Sequence, residues 1–180
     1  RSTLADLDWL RRLGLADALA ARAAAGGPIL GICGGYQMLT ELIDDPIESA
    51  RGVEPGLGLL PARVRFSAEK ILGEPSGSWR GHRVVGYEIH HGVVEPTGGE
   101  PFLDGVRTGN TWGTIWHGAF ENDGFRRAWL SELAATVGST WRPAEGGPGF
   151  AERRTLMLDE LADALEAHAD VDALLDLATN

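Results

Sequence analysis

Residues 27–39 read GPILGICGGYQML, a strand-like run followed by a turn and a helix-like run. The apolar residues 29–32 are typical of a buried parallel strand, and the run after Gly35 favours a helix that extends to Leu42. Cys33, the only cysteine of the sequence, lies at the junction. A nucleophile at such a turn requires small neighbours, because a side chain there would clash with the strained backbone. The segment therefore predicts an α/β fold with Cys33 at a strand-to-helix turn.

The surroundings of Cys33 indicate a reactive thiol. Free N–H groups and the dipole at a helix N-terminus favour the thiolate. The same N–H groups can bind the oxyanion that forms when a thiolate attacks a carbonyl. A lone cysteine is more often a small buried hydrophobe. Gly31, Gly34 and Gly35 favour a catalytic role over that alternative.

His117 is the best placed of the five histidines to act as the base that a cysteine nucleophile needs. The β-branched and aromatic residues before it predict a strand that ends at His117, and Gly118 permits a turn. Ligands of open α/β sheets bind outside the carboxyl ends of strands, where Cys33 is also expected. The alternative is a histidine that only hydrogen-bonds a loop.

Composition limits the kinds of partner. A formal net charge of −10 argues against binding to nucleic acid or to an anionic membrane. No apolar run approaches the roughly 20 residues that span a bilayer. A single cysteine excludes an internal disulfide and a zinc site built from several thiolates, and it suits a reducing cytoplasm. The 180 residues are enough for one domain with a hydrophobic core.

Hydrophobic periodicity and turn residues predict the remaining elements. Helices are expected over 3–13, 16–25, 125–133, 152–167 and 171–178, strands over 63–66 and 84–94, and loops over 44–58 and 73–81. Trp112 and Trp116 are expected to pack in the core. The sequence begins with arginine and opens on a helix, so we expect a fragment of a longer protein. We expect one domain over 1–180, with residues 150–180 as its C-terminal helices.

Several segments resemble one enzyme family. GICGGYQ at residues 31–37 is similar to the nucleophile motif of triad-type (class I) glutamine amidotransferases. The longer form GGYQML is similar to the glutaminase domain of cobyric acid synthases, as are STLADLDWL at 2–10, GYEIH at 86–90 and GTIWHGAFE at 113–121. The resemblance implies a three-layer, flavodoxin-like α/β fold of the class I glutamine amidotransferase type that lacks its first strands.

The resemblance also implies roles for individual residues. Cys33 would attack the side-chain amide of glutamine, and His117 would transfer the protons. Gly34 would supply an N–H group to the oxyanion, and Gln37 would contact the substrate. Without the resemblance, Gln37 is a polar residue on an exposed helix face.

Glu88 and His90 are predicted to share one face of a strand, with Cα atoms about 6.6 Å apart. They could form a polar patch near glutamine or near a partner domain, and the alternative is a solvated strand face. His90 and His91 would point in opposite directions, so no metal site is expected there.

The chain departs from the family pattern two residues after His117. Most class I glutaminases have a glutamate there that orients the histidine, whereas this chain has Ala119, whose side chain cannot accept a hydrogen bond. Glu121 is close in sequence but is not obviously placed to help. Either a backbone carbonyl orients His117, or a carboxylate arrives from a synthetase domain.

The resemblance implies that ammonia passes to an N-terminal synthetase domain, which uses ATP and Mg²⁺ to amidate adenosylcobyrinic acid a,c-diamide in cobalamin biosynthesis. The nucleotide and the corrinoid are expected on that domain, because this sequence has no P-loop, and the glutaminase is expected to need no cofactor. Two alternatives stay open. One is the glutaminase of a related ligase (cobyrinic acid a,c-diamide synthase or the complex that amidates lipid II), and the other is a non-catalytic docking domain.

Overall fold

The strands lie in the first of two compact units into which the chain divides after Arg142. The computed structural model describes residues 3–144 and 146–179. The helices of the first unit are α1 (Thr3–Arg12), α2 (Leu15–Ala24), α3 (Gly34–Leu39) and α4 (Asp123–Thr136). Its strands are β1 (Ile29–Ile32), β2 (Leu42–Asp45), β3 (Gly52–Pro55), β4 (Ala62–Gly73), β5 (Ser76–Trp79), β6 (His82–Val85), β7 (Glu88–Pro96), β8 (Glu100–Phe102), β9 (Gly105–Thr108) and β10 (Thr111–Thr114).

These strands form two four-stranded sheets and a hairpin. The first sheet has the order β1-β10-β9-β8 and the second the order β3-β2-β4-β7, while β5 pairs with β6. Each large sheet contains one parallel pair, β1 with β10 and β2 with β4, and its other pairs are antiparallel. The architecture is therefore mixed α/β, and the predicted parallel strand over residues 29–32 is confirmed.

Three hydrophobic clusters hold the helices against the sheets. The first joins α4 and the β5–β6 hairpin to the first sheet through the rings of Trp79, Phe102, Trp112, Trp116, Phe125 and Trp129. The second packs Tyr36 and Leu39 of α3 against Ile29, Leu60, Ala62 and Val106. The third packs Leu4 and Leu7 of α1 against Ile43, Val64 and Phe66 of the second sheet. Burial of each large apolar side chain stabilises the fold by about 1.5–3 kcal/mol, and the predicted burial of Trp112 and Trp116 is confirmed.

Three local predictions are wrong. The helix after Cys33 ends at Leu39, because the backbone of Thr40 is extended and its hydroxyl donates a hydrogen bond to the Gln37 carbonyl at 2.8 Å. Leu42 instead begins β2, which pairs with β3, so the predicted loop over 44–58 contains strand residues, at 44–45 and at 52–55. The predicted loop over 73–81 likewise contains β5.

The predicted strand over 84–94 is two strands, β6 and β7. Between them Tyr87 forms an isolated antiparallel bridge with His117. Gly86 suits this close approach, because a Cβ atom there would lie 2.7 Å from the carbonyl oxygen of His117. The pairing with His117 therefore interrupts the strand and brings residues 86–87 next to His117.

The second unit contains α5 (Phe150–His168) and α6 (Val171–Thr179), close to the predicted helices. Leu156, Leu161 and Leu165, which share the predicted apolar side of α5, are all more than half exposed. The assignment of residues 150–180 to the same domain as the rest stays a prediction. None of the helices in the described ranges combines the length and apolar content needed to cross a bilayer.

Candidate active site

Cys33 lies between the end of β1 and the start of α3. Its backbone has φ 51° and ψ −116°, an uncommon conformation for a residue with a side chain. The Cys33 N–H donates to the Thr114 carbonyl at 2.9 Å, and its carbonyl accepts from the Gln37 N–H at 3.0 Å. The chain thus leaves the sheet at Ile32 and enters the helix within one residue, as the sequence predicts.

The three glycines near Cys33 differ in how much space surrounds them. At Gly31 a Cβ atom would lie 2.8 Å from the Tyr36 backbone, so only glycine lets α3 return so close to β1. At Gly35 a Cβ atom would meet nothing within 4 Å, and at Gly34 only the Thr3 hydroxyl at 4.0 Å. The steric prediction therefore holds for Gly31 alone, while a Cβ atom at Gly34 or Gly35 would enter open space.

The strand predicted to end at His117 ends three residues earlier, at Thr114, and His117 follows it at the same sheet edge as Cys33. Ile32 of β1 is in register with Thr114 of β10, and the two strands are parallel, so both chains leave the sheet side by side. The His117 N–H donates to the Tyr87 carbonyl at 2.9 Å, and the Tyr87 N–H donates back at 3.0 Å. Their rings stack with centroids 5.1 Å apart and planes 14° apart.

A cavity of about 490 Å³ brings the predicted residues together. Its lining contains Cys33, Gly34, Gln37, His90 and His117 from the predictions, together with Thr3, Asp6, Ile32, Glu48, Phe66, Lys70, Ile89 and His91. Glu88 is outside this lining but lies against His90, with Oε2 3.4 Å from Nε2. The chemical roles of these residues stay predictions.

Gln37 is buried, not on an exposed helix face as the alternative interpretation required. Its Oε1 accepts a hydrogen bond from the Thr3 hydroxyl at 2.9 Å, and its Nε2 donates to the Gly92 carbonyl at 3.5 Å. The amide therefore joins α1, α3 and β7 at one wall of the cavity.

The patch of Glu88 and His90 is also largely buried. His90 is 9% exposed, and its Nδ1–H donates to the Gly92 carbonyl at 2.8 Å. His91 Nδ1 lies 3.2 Å from the Ser67 carbonyl, and both histidines border the cavity. In the described ranges no three His, Cys, Asp or Glu side chains are grouped as a metal site requires. His90 is thus part of the cavity wall, and Glu88 lies against it outside the lining, so the pair is not a fully solvated strand face.

The environment of Cys33 opposes ionisation more than the sequence suggests. Burial raises the pKa of the thiol, and a hydrogen bond from the Gly34 N–H lowers it by less. The negative charges of Glu48 and Asp104 raise the pKa further. α3 has only six residues, so its dipole is small. In this form of the protein the thiol is therefore the favoured state.

Asp104 is a residue near the site that sequence reasoning missed. Its carboxylate accepts hydrogen bonds from the Thr114 hydroxyl and from the Ile115 N–H. Burial of the carboxyl raises the pKa of Asp104, although these hydrogen bonds lower it. In the sequence the pair Asp104-Gly105 indicates only a turn.

The position of the usual triad glutamate offers no acceptor. Ala119 is buried. Within residues 3–144 the His117 ring stacks on Tyr87 and makes no side-chain hydrogen bond. The Glu121 carboxylate lies next to Gly118, the residue after His117: its Oε1 would be 3.7 Å from a Cβ atom built on Gly118. The structure therefore orients His117 through Tyr87, by backbone pairing and ring stacking.

Comparison with known proteins identifies the family. A model of the CobB/CobQ-like glutamine amidotransferase domain matches residues 1–125. Cobyric acid synthase of Streptomyces avermitilis is 59% identical over 174 residues, which are 97% of this chain and 34% of that protein. The cobyric acid synthases of Cutibacterium acnes and Rhodococcus jostii are 55% and 47% identical, and the alignments cover 37% and 36% of their lengths.

The chain spans about a third of the length of these relatives. The match confirms the resemblance seen in the sequence, and the mixed α/β architecture is consistent with the flavodoxin-like fold of class I glutamine amidotransferases. Because the family model covers most of its length, the chain belongs to the family of CobB/CobQ-like glutamine amidotransferase domains.

Proposed function

We propose that this chain is the glutaminase part of a cobyric acid synthase and that Cys33 and His117 carry its chemistry. The observation that supports this most directly is that both side chains border one cavity, at the shared edge of two parallel strands. The names of the relatives favour a cobyric acid synthase over the glutaminase of another ligase.

In the proposed reaction the Cys33 sulfur attacks the side-chain carbonyl carbon of glutamine. His117 takes the thiol proton and then gives it to the departing amide nitrogen, which leaves as ammonia. The product is a γ-glutamyl thioester. Water then attacks this thioester with His117 as base, so that glutamate leaves and the thiol is restored.

Gly34 supports the charged intermediate in this proposal. Its N–H is close enough to the Cys33 sulfur to lower the pKa of the thiol, and Gly34 borders the cavity. A tetrahedral intermediate at Cys33 would place its oxyanion near this N–H, and one such donor is typically worth about 100- to 1,000-fold in turnover. Gln37, which also borders the cavity, would contact the substrate.

The ammonia is proposed to react outside this chain. We place ATP, Mg²⁺ and the corrinoid on a synthetase domain in the remaining two thirds of the protein, since the relatives are about three times as long as this chain. The described residues contain no cluster of three potential metal ligands, and the sequence has no P-loop. Free ammonia is mostly protonated near neutral pH, so a shielded path to that domain is part of the proposal.

Labelling with a glutamine-analogue electrophile such as 6-diazo-5-oxo-norleucine tests this function in the complete protein. We expect covalent modification at Cys33 and none in Cys33→Ser. His117→Ala should lower glutamate release by about 100- to 10,000-fold, the usual contribution of a general base. His82→Ala is the matched control, because His82 lies on β6 and outside the cavity lining.

A second candidate is a docking domain that no longer catalyses, which Ala119 favours because the usual triad glutamate is missing. Under that function the electrophile would leave Cys33 unmodified, and glutamate release would be absent in the unmodified protein. If the electrophile labelled the Cys33→Ser variant as fast as wild type, both functions would be refuted as stated, because the reactive group would lie elsewhere.

A further inference from the structure

Asp104 lies in the turn between β8 and β9, at the sheet edge where Cys33 and His117 emerge. The turn has a fixed shape. Leu103 has a positive φ of 53°, and a Cβ atom at Gly105 would lie 2.2 Å from the Gly113 carbonyl oxygen. The turn therefore packs directly against β10, the strand that leads to His117.

The Asp104 carboxylate binds the chain where it leaves the sheet. Asp104 is an exposed residue, but its Oδ1 accepts from the Thr114 hydroxyl at 2.5 Å, and both of its oxygens accept from the Ile115 N–H at 3.1 and 3.2 Å. The Thr114 hydroxyl in turn accepts from the Trp116 N–H at 3.1 Å. One carboxylate thus satisfies the Thr114 hydroxyl and the Ile115 N–H directly and, through Thr114, supports the bond from the Trp116 N–H.

Thr114 also connects this network to the thiol. Its carbonyl accepts from the Cys33 N–H at 2.9 Å, the last hydrogen bond between β1 and β10. Beyond it, Ile115 and Trp116 have left the strand, and their N–H groups would lack partners without Asp104 and Thr114. The segment before His117 is therefore held by Asp104, and the turn at Cys33 is held by the residue that Asp104 binds.

We propose that Asp104 is a positioning residue, which fixes His117 relative to Cys33 through Thr114 and Ile115. This inference rests on the glutaminase function proposed above. It gives the chain, which lacks the glutamate at Ala119, a carboxylate that acts on the backbone of the histidine segment and not on the imidazole. Misplacement of a catalytic group by about 1 Å can cost about 100-fold in rate.

If Asp104 acted only through its charge, removing it would have the opposite effect on the reaction. Its negative charge raises the pKa of the Cys33 thiol, so its removal alone should make the sulfur more reactive. The other titratable groups that border the cavity around Cys33 are Asp6, Glu48, Lys70, His90, His91 and His117. All of these groups remain present when Asp104 is replaced, and His117 is the one that we expect to shift, so the two roles can be separated.

The test compares Asp104→Ala and Asp104→Asn in the complete protein, with glutamate release and alkylation of Cys33 by iodoacetamide as the two measurements. We expect Asp104→Ala to lower kcat about 100-fold with little change in KM, while alkylation stays as fast as in wild type or becomes faster. Asp104→Asn should recover much of kcat, because its amide oxygen can still accept. Asn110→Ala is the control, since Asn110 bonds the Gly26 carbonyl at the opposite end of β10.

A folded Asp104→Ala protein with wild-type kcat would overturn the proposal, as would equal losses of kcat in Asn110→Ala. If Asp104→Ala does not fold, Asp104→Asn is combined with Thr114→Val, which removes the shared hydroxyl. We expect the double variant to lose no more kcat than the worse single variant, and independent losses would overturn the inference. A wild-type protein that releases no glutamate refutes the proposed function itself, whereas an active one isolates the role of Asp104.

Discussion

Tyr87 is the residue that most directly orients His117. Its backbone makes two hydrogen bonds with His117, and its ring lies flat against the imidazole while remaining half exposed. Stacked aromatic pairs contribute about 0.5–1.5 kcal/mol beyond the area they bury. The stack therefore restricts the imidazole of His117 in a chain that has no carboxylate at position 119.

Replacement of the Tyr87 ring should therefore affect turnover more than stability. We expect Tyr87→Ala to lower kcat for glutamate release by about three- to tenfold, the equivalent of the stacking energy. Tyr87→Phe is the matched control and should keep wild-type kcat, because the phenyl ring stacks without the hydroxyl. Equal kcat values in Tyr87→Ala and wild type would show that the backbone pairing alone orients His117.

At the scale of elements, β10 and α3 meet without room for a methyl group. A Cβ atom at Gly113 would lie 2.1 and 2.4 Å from the Tyr36 ring, which is fully buried. We expect Gly113→Ala to lower the free energy of unfolding by about 1–3 kcal/mol, the usual cost of overpacking. Urea denaturation measures the difference.

Gly35→Ala is the control for that change. A Cβ atom at Gly35 would meet nothing within 4 Å, and Gly35 lies in α3, where alanine is favoured over glycine by about 1 kcal/mol. Its stability should be equal to that of wild type or higher. Similar losses in both variants would mean that α3 can move away from β10.

The connection between β2 and β3 depends on a buried carboxylate. Asp45 is fully buried, and it accepts hydrogen bonds from the N–H groups of Ile47, Glu48 and Ser49. Desolvation opposes ionisation, but the Ser49 side chain and these backbone hydrogen bonds outweigh it and hold the pKa of Asp45 below its ordinary value. The carboxylate therefore stabilises the fold above the unfolded-state pKa of about 3.9. This contribution disappears as the pH falls through the lower pKa of the folded protein.

Asp45→Asn tests this account. At neutral pH we expect the free energy of unfolding to fall by about 1–3 kcal/mol, because the amide replaces an acceptor with a donor that faces other donors. The difference from wild type should shrink in acid, where wild type also loses the charge. A difference that is constant from neutral to acidic pH would contradict the pKa assignment.

Local patterns were sufficient for the elements around the site but not for the second sheet. The apolar run before Cys33 and the β-branched run before His117 are strong strand signals, so the sheet edge and both side chains could be predicted. The sequences of β2 and β3, LIDD and GVEP, do not alternate apolar and polar residues as a half-buried strand would. Asp45 can be buried because three N–H groups converge on its carboxylate. The bridge of Tyr87 to His117 joins residues 30 apart in sequence, and hydrophobic periodicity carries no such information.

The same limit applies to the details of the site. Cys33, Gly34, Gln37, His90 and His117 could be found from their motifs, and the cavity brings all five together. Asp104 could not, because its role depends on a turn that packs on β10 and on donors of residues 114–116. Burial of the thiol, which raises its pKa, is likewise a property of the packed structure.

At the scale of the whole molecule, the first unit contains everything that forms the site. Among the residues that the structure describes, the three hydrophobic clusters and the residues that border the cavity all precede residue 143. Compact units with their own core can often fold alone. We therefore expect a protein that lacks residues 143–180 to label Cys33 with the glutamine-analogue electrophile at the wild-type rate. Loss of labelling together with a lower unfolding midpoint would show that the two C-terminal helices support the site.

The backbone of Cys33 has a consequence for how such a molecule evolves. A residue with a side chain in its conformation costs about 1–3 kcal/mol, whereas glycine adopts positive φ without this cost. Cys33→Gly should therefore raise the free energy of unfolding, which urea denaturation measures, and remove the nucleophile. Stability therefore favours glycine at this position, whereas turnover requires cysteine. Selection for turnover would explain why the less stable residue is kept.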